Sequence, residues 1–454
     1  MNRLKLSTVA AWCGGKPKGA DAEIDNVSID SRQVNSTTLF VAIKGERFDA
    51  HDFAKQVEES GAAAIVAHRE LDVNIPVIYV EDTKKAFIDI AREYRKSIKN
   101  LTVIGLTGSV GKTTTKEMTY LVASKRFNAI KTQGNLNNDI GLPRTLFTLD
   151  DSFDGAVIEM GMSNFGEISL LSRTCLPDIG IITNIGVSHI EYLGSRDGIL
   201  KAKLEILDGM KKGSTLILNY DNDKLRTVKS DEYNIVSFGI ENEEAKVLGD
   251  EIAEKDGETS FKVYFDGKCQ AVKIPTIGIH NVYNALAAFC AGLEIGLEPS
   301  VIAEALGEYE PSGMRQRINK INGVTVIEDC YNASPDSQRA AINALMSVEG
   351  NRKIAVLGDM LELGSYSKTA HTEIGEYAAA KNVDLLFTYG EQSKYIAKAA
   401  EENGVKVFAF TDKTALFEAL KNEIKPSDAV LFKASRGMKL EEVITLLYEE
   451  WKNK

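Results

Sequence analysis

The chain has 454 residues, a formal net charge of −11, 44% hydrophobic and 26% charged residues. At about 100–200 residues per domain that is room for roughly three cores, and the acidic balance excludes the broad basic face a nucleic-acid binder needs. No apolar run reaches the about 18 residues of a membrane span, and five scattered cysteines (Cys13, Cys175, Cys269, Cys290, Cys330) without a C-x-x-C pair point to a reducing, cytoplasmic setting.

The opening MNRLKLSTVAAWCGG has too short an apolar run for an export signal, and Trp12 sits where cleavage wants a small residue. From Ile24 to about Tyr94, short β-rich runs (VSID, TLFVAIKG, AAAIVAH, VIYVED) and two helices, near His51–Ser60 and Thr83–Arg95, predict a small α/β unit. From Leu101, the strands TVIGL, AVIEM, DIGIIT and TLILN alternate with helical stretches, the pattern of a mostly parallel sheet covered by helices. Between Tyr233 and Ile277 the more polar segments NIVSFG, FKVYF and QAVKI read as an antiparallel flank, followed by a helix over 280–295. After Glu310-Pro311-Ser312-Gly313 come VTVIEDC, KIAVLGD, DLLFTYG, VKVFAF and DAVLFKASRG, each with a helix behind it: five βα units of a doubly wound, Rossmann-like domain. The expected fold class is α/β in three domains, 1–98, 99–312 and 313–454.

The stretch TGSVGKTTT (Thr107–Thr115) follows a buried strand and opens a helix, so its backbone N–H groups gather at a positive helix N-terminus. Gly108 and Gly111 permit close backbone approach, Lys112 would reach β- and γ-phosphates, and Thr113 would offer its hydroxyl to Mg²⁺. The usual phosphate-loop pattern has a further glycine where Leu106 stands. A lone Gly-Lys-Thr turn more often only caps a helix; strand before, helix after and three threonines favour phosphate.

A nucleotide site needs a carboxylate for its metal, and Glu159 ends the apolar strand AVIE on the expected rim. The next strand, ending at Thr183, leads to His189 on the same rim; a single histidine is more often structural, but this one occupies a ligand-facing loop. The turn Gly134–Gly141 carries Asn137 and Asn138, suited to hydrogen-bonding a polar substrate or simply to turning the chain. By sequence physics alone Lys203 is a solvated helix lysine beside Lys201.

The segments TGSVGKTTTKEM, GNLNNDIG, VIEMGMSN, TNIGVSHIEYLGS, KAKLEI, GIHNVYNALAA and MRQR…VIEDCYNASPDS stand in the order and spacing of the Mur ligases. The chain resembles that family over essentially its whole length, and within the family the loop TG-x-x-GKT lacks the distal glycine. DCYNASPDS, VLGDMLELG and KASRGMKLEEV resemble the branch that adds D-alanyl-D-alanine; the HTPD and DNPR segments of the branch adding the third residue are absent. Ser334 stands where many relatives have Asn, and Ala434 where many have Gly.

The resemblance implies ATP-dependent amide formation between UDP-N-acetylmuramoyl-tripeptide and D-alanyl-D-alanine through an acyl phosphate, by a cytoplasmic monomer. It implies that Thr107, Gly108, Ser109, Val110, Gly111, Lys112, Thr113 and Thr114 hold ATP phosphates, with Thr113, Glu159 and His189 serving Mg²⁺. Lys203 aligns with a lysine carbamylated in relatives. Asn281 and Asn284 match the adenine-contacting segment, Arg315 and Asp329 the phosphate and ribose contacts, and Asp30, Ser31 and Arg32, with Asn137 and Asn138, the UDP-substrate side. Asn332, Ser435 and Arg436 would lie near the dipeptide. Rival readings are another Mur-type ligase, a folylpolyglutamate synthase, or a nucleotide-dependent switch; against a GTPase, Asn319-Lys320-Ile321-Asn322 lacks the Asp of a base-reading motif.

Overall fold

The computed structural model describes residues 1–46, 48–311, 313 and 315–452. Arg47, within LFVAIKGERFDAHDF, and Ser312 and Met314, at the expected second domain boundary, lie outside the described residues, as do 453 and 454.

Three larger sheets organise the chain. The first, in the order Lys16–Lys18, Val77–Tyr79, Ala64–Ala67, Thr38–Val41 and Asn26–Ser28, is parallel except for its first strand. The four residues of Thr38–Val41 and of Ala64–Ala67 are buried, as a strand covered on both faces requires. The helix Thr83–Ser97 closes this unit; Asp82 starts it by accepting from the N–H groups of Lys84 and Lys85, a cap whose removal costs about 1 kcal/mol.

That helix also belongs to the next unit. Its Phe87 and Tyr94 rings pack on Phe147, with centroids 5.4 and 6.1 Å apart; burying such a ring contributes about 1.5–3 kcal/mol. Tyr94 donates to the Leu149 carbonyl at 2.6 Å and Arg95 to that of Cys175 at 3.0 Å. One apolar cluster runs from Leu6 and Val9 through Tyr94 to Leu142 and Ile158, so the core does not break near residue 98.

The second sheet has nine strands, in the order Ala129–Lys131, Gly155–Glu159, Thr102–Thr107, Ile179–Ile182, Thr215–Asn219, Asn234–Gly239, Val247–Lys255, Glu258–Phe265 and Lys268–Ile274. The segment NIVSFG was expected in an antiparallel flank; instead it pairs parallel to Thr215–Asn219 and to Val247–Lys255, and only the last three strands are antiparallel to one another. Alternation marks a strand without marking its neighbour's direction. From Thr102–Thr107 the chain first crosses to one side of the sheet and later to the other, which makes this strand's carboxyl end the topological switch point, the usual ligand position in such sheets.

The third sheet runs Arg317–Ile321, Val324–Asp329, Ala429–Lys433, Lys353–Gly358, Leu385–Tyr389, Lys406–Phe410, parallel except for its first strand. It contains the five expected βα strands plus one antiparallel edge strand that the sequence reading missed. Ser334 begins the helix Pro335–Ser347 with a capping box closed by Ser337, a use that a serine serves as well as the asparagine of relatives. Ala434 is fully buried, and its methyl group is what a Cβ on the neighbouring Gly358 would meet, at 2.6 Å.

Candidate active site

The phosphate-loop sequence turns as its glycines require. Gly111 has φ +81° and precedes the helix Lys112–Ser124. A Cβ on Gly108 would stand 1.8 Å from Thr183 Oγ1, and one on Gly111 2.5 Å from Asn284 Oδ1; neither position admits a side chain without displacing a neighbour. Leu106, where the common pattern has glycine, is a fully buried strand residue that fills the core. Asn184, which the sequence reading passed over, fixes the loop: its Oδ1 accepts from the backbone N–H of Ser109 at 3.0 Å and of Val110 at 2.9 Å. The clue was present in DIGIITN, a second apolar strand ending in a polar residue.

Lys112 donates to the Gly108 carbonyl at 2.8 Å. Burial pushes its ammonium pKa down; Glu159 opposes the shift and Arg315 adds to it. Thr113 Oγ1 donates to Glu159 Oε2 at 2.9 Å, and Asn137 Nδ2 to Glu159 Oε1 at 2.8 Å. The buried carboxylate therefore has a fixed orientation and an acceptor-only oxygen pair beside the loop. Its donors come from the loop helix and from the turn 134–141, which joins the two predicted clusters at one point.

Lys203 is the largest departure from what the residues alone suggested. It is 2% exposed, has no ion-pair partner among the described residues, and its pKa is driven well below the ordinary lysine value by burial and then by Lys112. Burial in this position disfavours the ammonium form.

The C-terminal sheet supplies the opposite wall. Arg315 lies over the Tyr331 ring, 3.8 Å from its centroid. At the end of Val324–Asp329, Asp329 Oδ2 accepts from Lys433 Nζ at 2.6 Å, and Lys433 itself is buried. Gln316 Oε1 accepts from Asn281 Nδ2 at 2.8 Å and meets His280 Nε2 at 2.9 Å. Asn284 accepts from Thr115 Oγ1 at 3.0 Å and donates to Asn281. These contacts close a cavity of about 530 Å³ whose lining includes Ser109, Val110, Gly111, Lys112, Thr113 and Thr114 on one side. Asn137, Asn138, Glu159, His189, Asn281, Asn284, Arg315, Asp329 and Asn332 complete the predicted residues in that lining, and Tyr331 and Lys433 were not foreseen.

A second cavity of about 270 Å³ shares His189 and Asn332 with the first and adds Leu361, Glu362, Ser435 and Arg436. His189 has φ +63° and Glu362 φ +61°, and His189 Nδ1 lies 2.7 Å from Glu362 Oε2. That is ion-pair distance, although the angles do not make a hydrogen bond. The imidazole holds the Glu362 carboxyl below the usual range. Thr107, Gly108 and Lys203 are not in the lining of the larger cavity.

Asp30, Ser31 and Arg32 line neither cavity. Arg32 pairs with Asp30 at 2.8 Å on the surface of the first unit, and its guanidinium holds the Asp30 carboxyl down at about 2. Lys84 meets Asp139 at 2.6 Å, tying that unit to the turn that carries Asn137 and Asn138.

Family models match the chain in three consecutive stretches: "Mur ligase family, catalytic domain" over residues 23–104, "Mur ligase middle domain" over 106–292, and "Mur ligase, glutamate ligase domain" over 315–436. The UDP-N-acetylmuramoyl-tripeptide–D-alanyl-D-alanine ligase of Bacillus subtilis (strain 168) is 41% identical over 440 residues, 95% of each chain. Among solved structures, MurF from Acinetobacter baumannii superposes with a TM-score of 0.92 at 32% identity over 99% of both chains. The MurF ligase from Thermotoga maritima in complex with ADP superposes with a TM-score of 0.86 at 29% identity, covering 94% of this chain and 98% of that one.

Proposed function

The chain belongs to the Mur ligase family, and from this we infer that it joins D-alanyl-D-alanine to UDP-N-acetylmuramoyl-tripeptide in an ATP-dependent step of peptidoglycan precursor synthesis. The observation that carries the reading is that one cavity is lined both by the phosphate loop and by Arg315, Asp329 and Lys433 of the C-terminal part of the chain. ATP enters as co-substrate. A reaction that consumes it belongs in the cytoplasm, and we assign it to a monomer.

We divide the work among units 1–98, 99–312 and 313–454. Asp30, Ser31 and Arg32 of the first, with Asn137 and Asn138 of the second, hold the UDP substrate. Lys112 and Thr113, with Thr107–Val110 and Thr114, grip the phosphates; Asn281 and Asn284 meet the adenine, and Asp329 the ribose. Asn332, Ser435 and Arg436 receive the dipeptide.

A carboxylate is a poor electrophile, so the substrate's terminal carboxylate first takes the γ-phosphoryl group of ATP and releases ADP. The resulting acyl phosphate is attacked by the free amine of D-alanyl-D-alanine. The tetrahedral adduct then expels phosphate with the C–O bonding pair, and the amide remains. Lys112 and Arg315 lie on opposite walls and offset the charge that develops on the phosphoryl oxygens. Enclosure between two units keeps water from the acyl phosphate.

The donors beside the loop suit a hard cation: the Thr113 hydroxyl and the fixed Glu159 carboxylate supply oxygens. His189 is the third group we assign to Mg²⁺. When bound, the ion neutralises phosphate charge. Lys203 fits carbamylation, because burial disfavours its ammonium form and it has no ion-pair partner among the described residues: as the free amine it adds to CO₂, the N–C bond forms as a C=O pair moves onto oxygen, the nitrogen gives up a proton, and a carbamate anion results.

Assays of ADP release and amide product test the reading, offering D-alanyl-D-alanine against L-lysine, diaminopimelate and glutamate. Turnover with the dipeptide alone is the expected result; no turnover with it overturns the assignment. Tripeptide substrates ending in L-lysine and in diaminopimelate, compared side by side, identify the third residue.

A further inference from the structure

The segment VLGDMLELG, Val356–Gly364, has no part in the reaction as described so far. It ends the strand Lys353–Gly358 and turns along the smaller cavity, and its Glu362 reaches His189 of the central unit at 2.7 Å. Both residues carry positive φ, +63° and +61°, a conformation unfavourable for a residue with a side chain. Both loops are anchored against this cost.

On the central side, Val187 and Ile190 pack into the apolar cluster of the C-terminal unit formed by Leu357, Leu363 and Ile374. On the C-terminal side, the Met360 N–H donates to His371 Nε2 at 3.0 Å, and the Leu361 N–H to Ser435 Oγ at 3.0 Å. The Ser435 N–H in turn donates to the Asp359 carbonyl at 3.1 Å. Glu362 is therefore held through Ser435, a residue of the smaller cavity, and touches His189, a residue of both cavities.

The distance constrains the proton. At 2.7 Å a carboxylate oxygen repels the negative end of an unprotonated ring nitrogen and attracts an N–H there, so even at an angle short of a hydrogen bond the contact favours the proton on Nδ1. A neutral imidazole so held has its free lone pair on Nε2. We propose that Glu362 is a positioning residue which, from the C-terminal unit, fixes the Nδ1–H tautomer of His189 and leaves Nε2 free as a ligand. The inference rests on the ligase reading only for what Nε2 meets, a metal ion at the phosphates; the Glu362–His189 coupling stands apart from it.

The test is made on the full chain labelled with ¹⁵N-histidine, without metal, with ADP and D-alanyl-D-alanine present, at a pH above the imidazole range. Long-range ¹H–¹⁵N spectra report each ring's tautomer, and the His189 signals are those lost in His189→Gln. The wild type and Glu362→Gln, whose amide oxygen can face Nδ1 from the same place, are expected to show the Nδ1–H pattern, and Glu362→Ala the Nε2–H pattern. In parallel, Glu362→Ala is expected to lose roughly 10- to 100-fold in dipeptide-dependent kcat, the usual effect of removing a ligand's orienting partner, with KM for ATP little changed. The same His189 tautomer in wild type and Glu362→Ala overturns the inference. A wild type that shows the tautomer shift but never ligates the dipeptide overturns the ligase reading instead and leaves the coupling in place.

Discussion

Thr113 Oγ1 donates to Glu159 Oε2 at 2.9 Å, tying the first turn of the loop helix to the end of the neighbouring strand. The carboxylate is buried, and its other oxygen is held by Asn137. Glu159→Gln keeps the volume and removes the charge. Turnover is expected to fall roughly 100-fold or more, the scale set by deleting one electrostatic group of a reaction centre, with a small change in melting temperature. Glu159→Ala is expected to cost a further about 1–3 kcal/mol of stability, because Thr113 and Asn137 lose their acceptor. Steady-state ADP release and thermal melts check both.

Lys203→Ala separates a carbamate from a structural lysine. Loss of nearly all turnover, with partial recovery when formate or acetate is added, is expected if the residue works as an anion. Unaltered turnover, or a loss that no small carboxylate repairs, returns Lys203 to a packing role.

Gln316 bonds to residues before the helix Ile279–Glu294 and within it: it accepts from Asn281 and donates to the Ile277 carbonyl at 3.2 Å. Gln316→Ala removes one of three acceptors around the buried Asn281 amide, which keeps Thr276 Oγ1 and the Ile277 carbonyl, and takes away the partner of the His280 ring, at a cost of about 1 kcal/mol. Because Asn281 lines the cavity and is proposed to meet the adenine, KM for ATP is expected to rise more than kcat falls, and nucleotide titrations of the variant measure it.

Three histidines make stability depend on pH. Burial lowers the pKa of His51, His280 and His371 below 6.5. Below 6.5 the unfolded chain binds protons that these folded side chains refuse, so stability falls as pH drops from that value toward the lowered folded pKa values, and is restored above it. His371 accepts from the Met360 N–H and contacts the Ser367 carbonyl through Nδ1 at 2.7 Å, which requires the neutral ring. Urea titrations across this window are expected to show the slope, and His371→Gln to reduce it by one proton.

The phosphate loop was legible because its demands are local: two glycines with no room for Cβ, a strand before and a helix after. Glu159 was legible as a polar end to an apolar run. Lys203 was not, since nothing in KAKLEI says which lysine the fold will bury; only the resemblance singled it out. Lys433 lies 104 residues from its partner Asp329, and pairing over that distance is fixed by sheet order, which alternation does not encode. The same gap explains NIVSFG: its pattern gives a strand and leaves the partner's direction open. Likewise, the helix Thr83–Ser97 reads as the end of one unit, but its Phe87 and Tyr94 are claimed by the core of the next.

The seating of Val187 and Ile190 in the C-terminal apolar cluster also bears on how the chain is made. Synthesis delivers the rim loop well before residues 353–374 exist to cover it, so the nascent central unit carries two greasy side chains on the edge that will later hold His189. A fragment ending near residue 310 would keep its sheets and expose that edge permanently. Poor solubility of such a fragment, relieved by replacing both side chains with polar ones, would locate the cause in this pair rather than in the missing mass.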